Sequence, residues 1–137
     1  MTGFHGRENK MARVTVIEEQ ITTRKQKGAM LELMGHVVDL HENGCSFAER
    51  GAAFKPNVIL TDLLLPGIVG LKAIRGLMTE NSDVSLIGVA DIESSDSLPL
   101  TLGWAKTIGA DLLMERPVTS AKLESALDDM LRPSSDG

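Results

Sequence analysis

At 137 residues with 42% apolar content, the chain has the size and composition of one ordinary domain built on a single two- or three-layer core. A net charge of −5, with lysines and arginines scattered along the chain, provides no basic face for nucleic acid or anionic lipid and leaves proteins or cations as partners. Cys45 is the only cysteine, which excludes an intramolecular disulfide and a cysteine-rich zinc site; no secretory leader or membrane-spanning run is present, so a reducing cytoplasm is the expected setting.

Residues 1–11 carry charge without apolar patterning and read as a flexible leader; 133–137 read as a tail, leaving 12–132 as the domain. RVTVI (13–17) is short and β-branched enough for a first strand. The stretch 20–34 has helical length but an uneven stripe. Ala29, Met30 and Leu33 can face inward, whereas Thr22, Thr23 and Gln26 stand where apolar residues are expected, so the basic start TTRKQK reads as a surface for an acidic partner. HVVDL (36–40) is a second strand flanked by His36 and His41, both expected at or near the surface. A helix over about 46–54 follows, with Cys45 beside it as a half-buried thiol.

NVILT (57–61) is the third strand and ends against Asp62. A helix over about 70–80, a fourth strand VSLIGV (84–89) and a polar loop DIESSDSLP (91–99) come next. The helix over about 98–109 carries Trp104 with Leu100 and Ile108 four residues to either side, a packing position; DLLME (111–115) is the fifth strand. The last helix, 119–131, has Thr119 as N-cap and a stripe of Leu123, Ala126, Leu127, Met130 and Leu131, and stops before Pro133. Five strands alternating with helices predict an α/β fold with a five-stranded parallel sheet, because parallel strands need long crossovers.

In such sheets ligands collect beyond the carboxyl ends of the strands. Glu18, Glu19 and Gln20 follow the first strand, Asp62 the third, Val89 to Asp91 close the fourth, and Arg116 with Pro117 follow the fifth. With strand order 2-1-3-4-5, Glu18, Glu19 and Asp62 converge, and three like charges need a shared cation. Mg²⁺ suits that demand, with Arg116 as a fixed positive charge opposite. A carboxylate nucleophile beside such cations suits phosphoryl transfer to Asp62. Each residue alone reads as a solvated loop residue; the combination and its order carry the inference. A haloacid-dehalogenase-type phosphatase would want a second Asp at position 64, which is Leu, and a nucleotide or flavin binder would want a phosphate cradle where this chain has EEQ.

Asp62 ending an apolar strand, then Pro66 with Gly67 and Gly70, an acidic pair after the first strand, GAD (109–111) before the fifth and a basic residue before Pro117 together resemble the receiver domains of two-component response regulators. The resemblance covers about residues 12–131. It implies a flavodoxin-like (CheY-like) (βα)5 three-layer sandwich, a signalling module rather than an enzyme, and Asp62 as phosphoacceptor. It also implies Mg²⁺ held by Glu18, Glu19, Asp62 and the Leu64 backbone carbonyl. The implied partners are a histidine kinase or histidine phosphotransfer protein and a downstream protein target, with docking on the fourth-to-fifth helix face and homodimerisation as a further expectation. Whether standing alone or taken from a longer protein, such a domain acts by docking.

Four positions depart from the family's pattern. Glu19 replaces the usual Asp, Val89 the hydroxyl residue that bonds the phosphoryl group, Arg116 the usual Lys, and Leu113 the usual aromatic. They raise a second expectation, a phosphorylation-independent pseudo-receiver that works as a docking module.

Overall fold

The computed structural model describes residues 11–63, 67–91 and 98–131. The expected leader (apart from Met11), the tail, Leu64, Pro66 and most of the loop over 91–99 lie outside the described residues.

Five strands form one parallel sheet: β1 (Arg13–Ile17), β2 (Val37–His41), β3 (Val58–Asp62), β4 (Ser85–Ala90) and β5 (Leu112–Glu115), in the spatial order 2-1-3-4-5. The three inner strands are covered on both faces, which is why RVTVI, VILTD and SLIGVA read as nearly unbroken apolar runs rather than alternating ones. The edge strand β2 is more exposed and carries Asp39 in its middle. Helices α1 (Ile21–Leu33) and α5 (Ser120–Met130) cover one face, where Leu31, Leu123, Ala126 and Leu127 pack on Val14, Val16, Val58, Leu60, Ile87 and Val89. Helices α2 (Gly44–Arg50), α3 (Gly67–Glu80) and α4 (Leu98–Ile108) cover the other, placing Phe47, Ile74, Ala105 and Ile108 against Ile17, Ile59 and Leu86. This is the parallel α/β sheet expected from the alternation and the three-layer (βα)5 sandwich that the resemblance implied.

Element ends shift by a few residues. Asp62 itself closes β3, still at the carboxyl edge, and α3 begins at Gly67, three residues earlier than the spacing suggested. Helix α2 starts at Gly44 because the Asn43 side chain accepts from the Ser46 N–H; it stops at Arg50, and a short 3-10 turn covers Ala52–Phe54. The Thr119 hydroxyl caps α5 by accepting from the Lys122 N–H, as its position predicted.

Three expectations need correction. In α1 the buried residues are Lys27, Gly28 and Leu31, with Met30 partly buried against the core as expected, while Ala29 faces solvent and Leu33 is 89% exposed. The helix is rotated because Leu31 enters the core, Gly28 lies against the Leu40 side chain, and Lys27 turns toward Glu18. His41 is buried, not superficial: its Nδ1 meets the Ser46 hydroxyl at 2.7 Å, its Nε2 meets Asp39 at 2.8 Å, and its ring stands edge-on to Phe47. Cys45 is exposed, since the first turn of α2 directs it outward. His36 is half-buried, with Nδ1 accepting the Ala12 N–H at 3.0 Å.

Candidate functional site

The parallel register brings the strand ends to one edge, with Asp62 directly opposite Val89 and Ala90 opposite Glu115. The main chain holds each of these ends. The Glu18 N–H donates to the His41 carbonyl at 2.9 Å, the Leu63 N–H to Val89 at 3.0 Å, and the Arg116 N–H to Ala90 at 3.1 Å. The three charged side chains are therefore carried by sheet geometry rather than by loops.

Asp62 is partly exposed, and its Oδ2 accepts from Arg116 Nη2. The same guanidinium lies 3.7 Å from the Asp91 carboxylate through Nε. Arg116 therefore sits between two acids, just past β5, and it precedes a cis Pro117. Val89 is fully buried and offers only methyl groups.

Glu18 has a different environment. It is buried, its Oε1 accepts from Lys27 Nζ at 2.8 Å, and its Oε2 accepts from the Gln20 N–H at 3.1 Å. The side chains of Lys27 and Glu18 are only 3% and 6% exposed, so this is a desolvated ion pair. Burial alone would raise the Glu18 carboxyl. Hydrogen bonds from Lys27 and Gln20, with the charges of Lys27 and Arg116, outweigh that effect and hold it below the ordinary glutamate range. Burial pushes the Lys27 ammonium below the ordinary lysine range, against the pull of Glu18. One turn earlier on α1, Arg24 Nη1 donates to the carbonyls of Glu18 at 2.9 Å and Glu19 at 3.2 Å, pinning the loop after β1. The Glu19 residue itself is exposed.

Of the residues expected to converge, the structure bonds Asp62 to Arg116 and sets Arg116 near enough for its charge to act on Glu18, while Glu19 is exposed. Leu64 lies outside the described residues. Mg²⁺ needs several oxygen ligands in near-octahedral order. Both Glu18 oxygens are occupied by N–H donors, Asp62 is bonded to Arg116, and no group of three or more His, Cys, Asp or Glu among the described residues could hold a metal ion. The residues described here do not fit a divalent ion.

Sequence reasoning missed Lys27 and Arg24. The signal was present in the spacing: the stripe ending at the deeply buried Leu31 runs back through Lys27 and Arg24, at i−4 and i−7. Lysine on an inward stripe beside a strand that ends in two acids is a candidate internal counter-ion. Reading TTRKQK only as a basic surface concealed it.

A sequence model of the response regulator receiver domain matches residues 14–128. The protein PilH of Pseudomonas aeruginosa is 31% identical over 121 residues, spanning 88% of this chain and 98% of that protein. FixJ of Azorhizobium caulinodans, a transcriptional regulatory protein, is 27% identical over 123 residues that make up 90% of this chain and 56% of that one. Among solved structures, the chemotaxis protein CheY4 of Vibrio cholerae superposes with a TM-score of 0.73 at 19% identity, covering 89% of this chain and 100% of that one. This structural likeness shows the shared fold.

Proposed function

Because this chain belongs to the response regulator receiver family of two-component signalling, we propose that it relays a signal by accepting a phosphoryl group on Asp62 from a histidine kinase or histidine phosphotransfer protein. Family members are signalling modules that meet such kinases and downstream targets. The observation that carries the reading is the placement of Asp62 at the carboxyl end of the central strand, partly exposed and in contact with Arg116. An Asp62 carboxylate oxygen would attack the phosphorus as the P–N bond to a donor imidazole breaks, with that bond's electron pair leaving on the imidazole nitrogen. Arg116 contributes a planar cation whose N–H groups suit the equatorial phosphoryl oxygens, so catalysis here is positioning and electrostatic stabilisation. A cytoplasmic setting fits this role, and among the described residues no helix is long and apolar enough to cross a membrane.

A second reading, a phosphorylation-independent docking module, draws support from the buried Lys27–Glu18 pair and from Val89, which cannot hydrogen-bond a phosphoryl group. Incubation with a small acyl phosphate or phosphoramidate, followed by intact-mass measurement, separates the two. One added phosphoryl group on the wild type, absent from Asp62→Asn, is the expected result. No adduct on the wild type would assign the docking role instead.

A further inference from the structure

We infer that Lys27 is the resident cation of the acidic pocket, taking the place a divalent metal would otherwise hold, so that the site is built to work without Mg²⁺. The inference deepens the reading of the same site and rests on Asp62 being there. It does not depend on any phosphoryl transfer.

The charges of the innermost groups already balance. Glu18 and Asp62 contribute two negative charges, and Lys27 and Arg116 contribute two positive ones, each bonded directly to an acid, while the more exposed Asp91 stands farther out, 3.7 Å from Arg116. A metal ion entering this set would meet no net negative charge. To reach Glu18 it would have to displace an ammonium whose side chain is 3% exposed, 2.8 Å from its carboxylate, and a buried lysine separated from its acid is strongly unfavourable.

The backbone closes the alternative of a rearranged loop. Arg24 holds the main-chain carbonyls of Glu18 and Glu19, so moving the loop main chain breaks both of those bonds, and turning the Glu18 carboxylate away breaks the bonds from the Gln20 N–H and Lys27 Nζ. Glu19, which could otherwise supply a ligand, is left facing solvent. Lys27 also differs from an ordinary surface lysine. It lies at the middle of α1 on the stripe that leads to Leu31, and its stem is enclosed rather than extended to water.

Metal binding by the full chain tests this, with Mn²⁺ as the probe in water-proton relaxation and Mg²⁺ in thermal melting. The wild type is expected to show no saturable Mn²⁺ binding at millimolar metal and no change of melting temperature with Mg²⁺. Lys27→Met, which leaves Glu18 without its cation, is expected to bind Mn²⁺ at least about tenfold more tightly than the wild type and to melt higher as Mg²⁺ is added. The double variant Glu18→Gln/Lys27→Met replaces the pair with neutral groups, keeps the fold folded without metal, and should lose that response. Saturable Mn²⁺ binding by the wild type that disappears in Asp62→Asn would overturn the inference. Indifference of Lys27→Met to both metals, or retention of the response in the double variant, would do the same. None of these measurements uses a phosphodonor, so a failure to phosphorylate Asp62 leaves the result standing, and a metal result leaves the acceptor question open.

Discussion

Glu18 and Asp62 end neighbouring strands of one sheet, yet their surroundings predict opposite responses to substitution. Removing Lys27 leaves a buried carboxylate without its partner and should cost about 3–5 kcal/mol in chemical denaturation, with the double replacement Glu18→Gln/Lys27→Met costing clearly less. The Asp62–Arg116 pair is partly solvated on both sides, so Asp62→Asn should change stability by under about 1 kcal/mol. The pH dependence follows from the same contrast. Glu18 is held below the ordinary value of about 4.3, so its contribution is fully present above that pH and is lost as pH falls through the lower folded-state value. Stability measured from neutral pH down into this acid range should fall less steeply in the Glu18→Gln/Lys27→Met double variant. His36 is lowered by burial, against the pull of Asp128, and accepts the Ala12 N–H. It should weaken the fold as pH drops below about 6.5, a limb that His36→Gln removes. At this scale the sequence made Asp62 and Arg116 legible, because they stand at or just past the carboxyl end of an apolar strand segment and the sheet rule says where such residues gather. It hid Lys27, because a lysine's burial depends on a partner nine positions away and not on its own local pattern.

Two elements meet just past the acceptor. The indole N–H of Trp104 on α4 donates to the Leu63 carbonyl, and Leu63 packs over Gly88 of β4, where an added Cβ would collide with the leucine side chain. Helix α4 is thereby tied to the residue that follows Asp62, by a contact independent of the hydroxyl that Val89 lacks. Trp104 is the chain's only tryptophan, so its fluorescence should shift when Asp62 is modified, and a spectrum unchanged on full modification would remove this route from consideration. Gly88→Ala should destabilise the fold by roughly 1–3 kcal/mol through overpacking against Leu63. The sequence placed Trp104 in a packing position but gave no hint of its carbonyl partner, since Leu63 is 41 residues away. The rotation of α1 was likewise hidden: of Ala29, Met30 and Leu33 only Met30 packs on the core, and Gly28 and Leu31 make the contacts with β2 and the core.

Across the whole molecule, the alternation of short β-branched runs with helical stretches was enough to predict five parallel strands, and the structure has them in the order 2-1-3-4-5. That level is legible because inner parallel strands must be apolar on both faces, and RVTVI, VILTD and SLIGVA satisfy the requirement plainly. The fold then puts four charged groups, Glu18, Lys27, Asp62 and Arg116, at one edge, and their pairing could not be read from one dimension. The central claim joins the two levels: a receiver whose acceptor carboxylate works among cations supplied by its own chain. Its most direct test is the rate at which a small phosphodonor adds one phosphoryl group to Asp62, followed by intact mass in excess EDTA and in millimolar Mg²⁺. Equal rates in the two conditions, with no adduct on Asp62→Asn, are the predicted result. Modification that appears only with Mg²⁺ would contradict the claim.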